Sequence, residues 1–182
     1  MKMKVYEGAP ESAGERLEKE MAVYERLNRL GIRYQRVDHE AAATMEACQE
    51  IDRLLGVKMC KNLLLCNSQK TSFYLLLMPG DKKFKTKDLS KQIQSARLSF
   101  AGEEYMEKFL NISPGAVSIL GLMNDSENRV RLLIDREILE AEYLGCHPCV
   151  NTSSLKIQMR DVLEKFLPDA GHDWTMVDLP RE

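Results

Sequence analysis

The sequence predicts an α+β fold in which helices surround a strongly curved, barrel-like mixed β-sheet. Amphipathic helical segments and short apolar strand segments alternate along the chain without the regular spacing of βαβ units. The chain has 182 residues, enough for one domain with a sizeable core, and it contains no internal repeat. We therefore expect residues 1–182 to form a single domain, with residues 1–14 as an N-terminal extension.

Helices are predicted where apolar residues recur at three- and four-residue spacing. Residues 15–30 carry such a stripe, and Gly31 is a natural stop. Thr44 is a suitable N-cap for a second helix, which Gly56 ends. The predicted helices cover residues 15–30, 44–55, 86–94, 102–110 and 158–166.

Strands are predicted where apolar and β-branched runs are bounded by turn residues. The polar turn at residues 67–70 joins two such runs and favours an antiparallel hairpin. Pro79-Gly80-Asp81 then breaks the chain. The predicted strands cover residues 32–37, 59–66, 72–78, 117–120, 129–135, 143–146, 150–155 and 174–177.

Composition and charge exclude several classes of protein. Hydrophobic residues make up 44% of the chain and charged residues 30%, as in ordinary soluble globular proteins. With 26 basic and 28 acidic residues, the net charge of −2 excludes bulk polycationic binding to nucleic acid as the main source of affinity. No apolar run approaches the roughly 20 residues of a membrane span. Because the N-terminus also lacks a signal peptide, we expect a cytoplasmic protein that does not bind membranes.

Lys61 lies inside the apolar run at residues 59–66. Side chains alternate between the two faces of a strand, so Lys61 shares a face with Leu63 and Leu65. Asn62 points to the other face. A lysine on an apolar face is costly unless its ammonium reaches water or meets an anion. Two interpretations stay open: a lysine that extends to the surface, or a cation in a cleft that binds a negatively charged ligand.

The most concentrated basic stretch follows the break at Pro79 and runs from residue 82 to residue 91. It is either a solvated helix face or a face that contacts phosphates. In the second case the lysines that contact phosphates are Lys82, Lys83, Lys85 and Lys87.

The segment at residues 145–152 combines a glycine, an imidazole, a proline and small polar side chains, which is typical of a loop that lines a cleft. Within it, Cys146-His147-Pro148-Cys149 has the spacing of a metal-ligand pair. A structural zinc site needs a second pair, and Cys60 and Cys66 are too far apart in sequence to supply it. We expect reduced thiols and no metal, with a small metal or redox protein as an alternative.

Five motifs together resemble, in order and spacing, the YbaK/prolyl-tRNA-synthetase-associated editing domain family. The motifs are Lys61-Asn62-Leu63, Arg97-Leu98-Ser99-Phe100, Ser113-Pro114-Gly115-Ala116-Val117, Leu122-Met123-Asn124-Asp125 and His147-Pro148-Cys149-Val150-Asn151-Thr152. The resemblance covers about residues 15 to 170 and is closest to the freestanding deacylases of alanyl-tRNA(Pro).

The resemblance implies a hydrolase in which a positioned water cleaves the ester of mischarged tRNA(Pro), most of all alanyl-tRNA(Pro). It implies that Lys61 fixes the terminal nucleotide and that the loop of Gly145 and His147 surrounds the aminoacyl group, so that these three residues are catalytic. It also implies that no metal or cofactor takes part. The substrate-binding residues that it implies are Asn62, Ser118, Pro148, Asn151 and Thr152.

The implied partners are the 3′ end of aminoacylated tRNA(Pro) and prolyl-tRNA synthetase, and a monomer is expected for a chain of this size. Some relatives that remove cysteine carry threonine after the lysine, where this chain has Asn62, and this difference favours alanine. Two alternatives stay open: a cysteinyl-tRNA(Pro) deacylase of the same family, and a non-catalytic module that binds tRNA or a synthetase.

Overall fold

The computed structural model of the protein describes residues 3–41 and 44–181, which form two β-sheets around one main hydrophobic core. The strands are β1 (Val5–Glu7), β2 (Tyr34–Asp38), β3 (Lys61–Asn67), β4 (Phe73–Met78), β5 (Leu98–Phe100), β6 (Val130–Asp135), β7 (Tyr143–Cys146), β8 (Ser153–Gln158) and β9 (Trp174–Val177). The helices are α1 (Glu18–Arg29), α2 (Met45–Leu55), α3 (Thr86–Gln92), α4 (Glu103–Tyr105), α5 (Arg136–Glu140), α6 (Met159–Asp161) and α7 (Leu167–Ala170). A π-helical turn at Met106–Leu110 extends α4, and another at Val162–Phe166 joins α6 to α7. A 3-10 helix spans Ile119–Asn124.

The first sheet has four antiparallel strands in the order β1-β2-β8-β7. The second has five strands in the order β5-β3-β4-β6-β9, in which β3 is antiparallel to β4 and β5, and β4, β6 and β9 are parallel. The expected α+β class and the antiparallel hairpin of β3 and β4 are confirmed. The described strands form two sheets rather than one closed barrel, and a parallel bridge between Met59 and Gly145 joins them.

The main core lies between the inner faces of the two sheets. Leu64 and Leu75 enter it from the five-stranded sheet, and Leu155 enters it from the four-stranded sheet. Tyr24 of α1 is also buried there. These side chains remove a large apolar area from water, which is the main favourable term in folding.

The outer face of each sheet is covered by a helix. Leu89 of α3 packs with Leu65 and Leu76 on the five-stranded sheet. Ile51 of α2 packs with Val37 on the four-stranded sheet.

Capping residues mark both ends of α2, as the sequence predicts. The Thr44 hydroxyl accepts a hydrogen bond from the Ala47 amide at 3.1 Å, which satisfies one of the free N–H groups of the first turn. Gly56 ends the helix in the left-handed conformation with φ 68°.

The strand predicted at residues 117–120 is wrong. Ser118 instead accepts a hydrogen bond from the Leu120 amide at 3.1 Å and begins the 3-10 helix. An apolar run this short does not distinguish a buried strand from a buried helical turn. The helix predicted to end at residue 166 continues through α7, where Pro168 lies in the first turn and loses little by lacking an N–H group.

Part of the expected N-terminal extension is built into the four-stranded sheet. Tyr6 of β1 is paired with Arg36 of β2, and the buried Arg36 guanidinium lies 4.7 Å from the centre of the Tyr6 ring. The same guanidinium donates hydrogen bonds to the Gly8 carbonyl and to Asp38. Residues 5–8 therefore help to satisfy a buried charge.

Candidate active site

Gly145 allows the two sheets to approach closely. A β-carbon at this position would lie 3.0 Å from Met59 Sδ and 3.1 Å from the Lys58 carbonyl oxygen. The Cys60 thiol lies at the same place and donates to the Gly145 carbonyl at 3.8 Å. The absence of a side chain at Gly145 is thus what permits the bridge between the sheets.

Lys61 and His147 occupy equivalent positions on the two segments of the chain that meet at this bridge. Each lies two residues beyond the pair of Met59 and Gly145, and the pair is parallel. Residues two apart in extended chain share a face, so Lys61 and His147 lie on the same side of the junction. Cys60, one residue beyond the bridge, packs against the main core on the opposite side.

The Lys61 ammonium is half-buried and is held by a neutral group. It donates to the Lys82 carbonyl oxygen at 3.0 Å. Within residues 3–41 and 44–181, no carboxylate forms an ion pair with it. A cation that leaves water without a counter-charge favours an anionic ligand. This geometry supports the interpretation of Lys61 as an anion-binding group.

Lys82 supplies the carbonyl that holds Lys61. The structure also corrects the prediction that the Lys82 side chain contacts phosphates. Its side chain is 1% exposed, and its ammonium contacts Asp135 at 3.0 Å, Glu137 at 2.7 Å and the Leu179 carbonyl at 2.7 Å. Burial lowers the pKa of the Lys82 ammonium, but its bonds to Glu137 and Asp135 outweigh burial and raise that pKa. Lys82 is thus a buried structural cation, whereas Lys83, Lys85 and Lys87 are exposed.

His147 has one ring nitrogen, Nε2, without a hydrogen-bond partner in the described part of the chain. Its Nδ1 lies 2.9 Å from the Ser153 carbonyl oxygen, which can only accept, so Nδ1 carries a proton. Burial lowers the pKa of His147, although the Ser153 carbonyl opposes this effect. In the neutral ring Nε2 therefore has a lone pair that can accept a hydrogen bond from a water molecule.

His39 is a neighbour of this site that the sequence did not reveal. Its ring centre lies 6.5 Å from that of His147, and its charge would lower the pKa of His147 further. Its Nε2 lies 2.8 Å from Ser154 Oγ, and its Nδ1 lies 2.7 Å from the Glu40 carbonyl. No local pattern marks a histidine that comes near another only through the fold.

Asn62 and Ser118 are not brought to the face of Lys61. The Asn62 amide donates to the Cys60 carbonyl at 3.2 Å on the core side, and its Oδ1 is buried without a partner in the described part of the chain. Ser118 is fully buried as the cap of the 3-10 helix. The expected substrate contact of Ser118 is therefore corrected to a structural role.

Asn151 and Thr152 line a separate cavity of about 880 Å³, together with Ser113, Pro114 and residues of the N-terminal segment from Tyr6 to Glu20. Neither Lys61 nor His147 lines this cavity. Pro148 is buried at the start of the same loop. Of the predicted substrate-binding residues, Asn151 and Thr152 thus line this cavity rather than the face of the sheet junction that carries Lys61.

The floor of the cavity is a network of charged groups that the sequence did not predict. Arg16 donates to Glu20 at 2.6 Å and to Asp38 at 2.9 Å, and the Ser153 hydroxyl donates to Asp38 at 2.7 Å. Burial raises the pKa of the Asp38 carboxyl, but the bonds from Arg16, Ser153 and Arg36 outweigh burial and lower it. These groups satisfy one another across α1, β2 and β8.

The cysteines of the junction are unreactive thiols. Burial raises the pKa of Cys60 and of Cys149 to about 12, and it raises that of Cys146 well above its ordinary value. A protonated thiol is neither a nucleophile nor a metal ligand. Across the described ranges, no group of three or more histidine, cysteine or acidic side chains is arranged to hold a metal ion.

None of the helices in the described ranges is long and apolar enough to span a membrane.

Comparison with known proteins bears on the same region. The profile of a family described as the aminoacyl-tRNA editing domain matches residues 39–165. The prolyl-tRNA editing protein ProX of Acetoanaerobium sticklandii is 29% identical over 163 residues, which cover 90% of this chain and 99% of that protein. Prolyl-tRNA synthetase associated domain-containing protein 1 of Bos taurus is 31% identical over 157 residues, which cover 84% of this chain and 90% of that protein.

Solved structures share the fold. The crystal structure of a protein described as a candidate trans-editing enzyme for prolyl-tRNA synthetase superposes with a TM-score of 0.65. It covers 91% of this chain and 98% of its own, at 14% sequence identity. At that identity the likeness concerns the fold alone.

Proposed function

The chain belongs to the aminoacyl-tRNA editing domain family, and we propose that it removes alanine from mischarged tRNA(Pro) as a freestanding enzyme. Its membership makes it an aminoacyl-tRNA deacylase, a hydrolase of carboxylic esters. The assignment to tRNA(Pro) is supported by the names of the relatives in Acetoanaerobium sticklandii and Bos taurus. The observation that carries the proposal is the ammonium of Lys61, which has no carboxylate partner among the described residues and lies on the same side of the sheet junction as His147.

Lys61 receives the negatively charged end of the substrate in this proposal. Its ammonium leaves the Lys82 carbonyl, or shares it, and binds a phosphate or ribose oxygen of the terminal nucleotide. An ionic hydrogen bond to phosphate is stronger than one to a neutral carbonyl, so the exchange is favourable. The ester is thereby held at a fixed distance from His147.

His147 positions the attacking water. Its neutral Nε2 accepts a hydrogen bond from the water, while Nδ1 stays fixed on the Ser153 carbonyl. The water oxygen bonds to the ester carbonyl carbon, the bond from that carbon to the ribose oxygen breaks, and the ribose oxygen leaves with a proton. The products are free alanine and uncharged tRNA.

Alanine is the expected target because of a general limit on selection by size. A pocket built for proline excludes a smaller apolar side chain by only about 1–3 kcal/mol, so a synthetase needs a second pocket that hydrolyses the error. Asn62 after the lysine, where cysteine-removing relatives carry threonine, also favours alanine over cysteine.

We also propose that the protein acts as a monomer with a single editing domain. Three exposed lysines are proposed to contact tRNA phosphates. The lysines are Lys83, Lys85 and Lys87. Phosphate contacts of this kind weaken as salt concentration rises, because bound counterions are released on association. The slope of log affinity against log salt should therefore become shallower when these lysines are replaced by glutamine, and light scattering should give the mass of one chain.

The experiment that tests the proposed function is a panel of tRNA(Pro) charged with alanine, serine, glycine, cysteine or proline. We expect release of alanine to be fastest and prolyl-tRNA(Pro) to be spared. Faster release of cysteine would favour the cysteinyl alternative. Binding of every charged tRNA without turnover would contradict the hydrolase and favour a non-catalytic binding module.

A further inference from the structure

Phe100 is an unusually exposed aromatic residue for its place in the fold. It lies at the end of the edge strand β5, and 61% of its surface is open to solvent. The ring of Phe84 lies against it, with ring centres 6.0 Å apart and planes at 67°. Phe84 is itself half-buried against the core under α3. The two rings form an aromatic pair that is anchored on one side and open on the other.

The aromatic pair lies on the face of the sheet that carries Lys61. Phe100 pairs with Leu65 across β5 and β3, and paired residues of antiparallel strands share a face. Leu65 and Lys61 are four residues apart on β3, so their side chains also share a face. Four residues of a strand span about 13 Å. Phe100 is thus about this far along the sheet from Lys61.

The segment of chain that carries Phe84 and Phe100 is rich in positive charge. Residues 82–100 contain six basic residues and one acidic residue, Asp88. Lys82 is buried, but four other cationic side chains are exposed and form no hydrogen bond or ion pair with any residue that the structure describes. These cations are Lys83, Lys87, Lys91 and Arg97.

We propose that Phe84 and Phe100 form a stacking platform for the unpaired 3′ segment of the tRNA, while Lys83 and Arg97 contact its phosphates. Exposed aromatic rings with nearby cations are the means by which proteins hold single-stranded nucleic acid. A stacked strand advances about 3.4 Å per nucleotide, so about 13 Å corresponds to a few nucleotides between the platform and Lys61. The proposal rests on the proposed function, because it takes the terminal nucleotide to be at Lys61.

Pairing of the β5 edge with a second copy of the chain is the competing use of this surface. Exposed edge strands do associate in this way. The cations disfavour it, because a symmetric contact would bring Arg97 and its neighbours on one copy close to those on the other. A single strand of RNA would neutralise the same charges.

The kinetic test compares a long and a short substrate. Alanyl-tRNA(Pro) reaches the platform, whereas alanyl-adenosine does not. We expect Phe100→Ala to lower the ratio of kcat/KM for the long substrate to that for the short one about tenfold, through KM, since stacking of one base is worth about that factor. Phe100→Trp should restore the ratio. Trp174→Ala is the matched control, because Trp174 is also exposed but lies on the opposite edge strand and pairs with Leu132 of the main core face.

A binding test does not depend on turnover. The chain has one tryptophan, so Trp174→Phe combined with Phe100→Trp leaves a single tryptophan, which lies on the platform. Quenching of its emission by the RNA 5′-ACCA-3′, and much weaker quenching by an abasic strand of the same length, would support stacking. Equal quenching by both strands, or an unchanged substrate ratio in Phe100→Ala, would overturn the platform.

Light scattering tests whether the surface serves for self-association instead. A dimer of the wild type that Phe100→Ala converts to a monomer would assign the surface to self-association and contradict the proposal. If the wild type hydrolyses no aminoacyl-tRNA, the proposed function fails, while quenching by 5′-ACCA-3′ still decides whether RNA stacks on the platform.

Discussion

Lys61 and His147 belong to different sheets, yet the parallel bridge of Met59 and Gly145 sets each of them two residues beyond the same point. Neither residue is close to the other in sequence. The bridge depends on a glycine, and the Lys61 ammonium depends on a carbonyl supplied by Lys82.

Replacing Lys61 by methionine should remove the cation and keep most of the apolar stem. We expect kcat/KM for alanyl-tRNA(Pro) to fall by about a hundredfold or more, the usual effect of losing one charge-stabilising donor. Lys58→Met is the matched control, because Lys58 is an exposed lysine that lies close in sequence. Deacylation that survives in Lys61→Met would remove Lys61 from the mechanism.

Gly145→Ala should disturb the bridge itself. The added methyl group would meet Met59 Sδ at 3.0 Å and the Lys58 carbonyl at 3.1 Å, so these neighbours must give way by a few tenths of an ångström. Overpacking of this kind costs about 1–3 kcal/mol, which urea denaturation can measure. Activity should fall further than stability, because Lys61 and His147 would separate. In the control Gly102→Ala, a methyl group would meet only the Glu104 side chain at 4.0 Å, and a large loss of stability there would contradict this account.

The pH dependence of the enzyme should reflect the lowered pKa of His147. Burial keeps the ring neutral below its ordinary pKa of 6.5, so kcat/KM should stay level as the pH falls through 6.5 and decline only at lower pH. Below 6.5 the unfolded chain binds a proton at this position before the folded chain does, so stability should fall as the pH falls through this range.

His147→Gln should remove this contribution to the pH dependence of stability and lower kcat. Urea denaturation at a series of pH values measures the first effect, and single-turnover deacylation measures the second. An acid limb of the wild-type profile centred above 6.5 would show that another group titrates.

Lys82→Met should destabilise the fold through the carboxylate that it leaves behind. Asp135 is fully buried beside the Lys82 ammonium, and removing one partner of a buried ion pair costs about 3–5 kcal/mol. The double variant Lys82→Met with Asp135→Leu should recover much of the loss. If urea denaturation shows the single and the double variants to be equally unstable, the ion pair is not the cause.

The sequence is a good guide to most elements of this fold, and particular residues show why. Thr44 and Gly56 bound α2 because capping is a local interaction. Strand pairing across the two sheets is not local, so the curved single sheet that the sequence predicts is in fact two sheets. Ser118 was placed in a strand because a short apolar run carries too little periodicity.

In the candidate site, too, local features are predictable from the sequence and long-range contacts are not. Lys61 stands out in the sequence because a cation interrupts an apolar strand, which is a local oddity. Lys82 looks like its exposed neighbours in a basic stretch, and only the fold brings it to Asp135, 53 residues away. His39 reaches His147 in the same long-range manner. Local sequence pattern cannot predict such encounters.

The limits of the family match have a practical consequence for protein engineering. Residues 39–165 exclude β1, β2 and β9, although β2 pairs with β8 and β9 pairs with β6. A fusion protein that carried only this stretch would present β8 and β6 as open edges, which recruit other chains. Transplanting the domain into a synthetase therefore calls for residues 5–179 as the minimum cassette, because the Leu179 carbonyl holds Lys82, and the linkers belong before β1 and after Leu179.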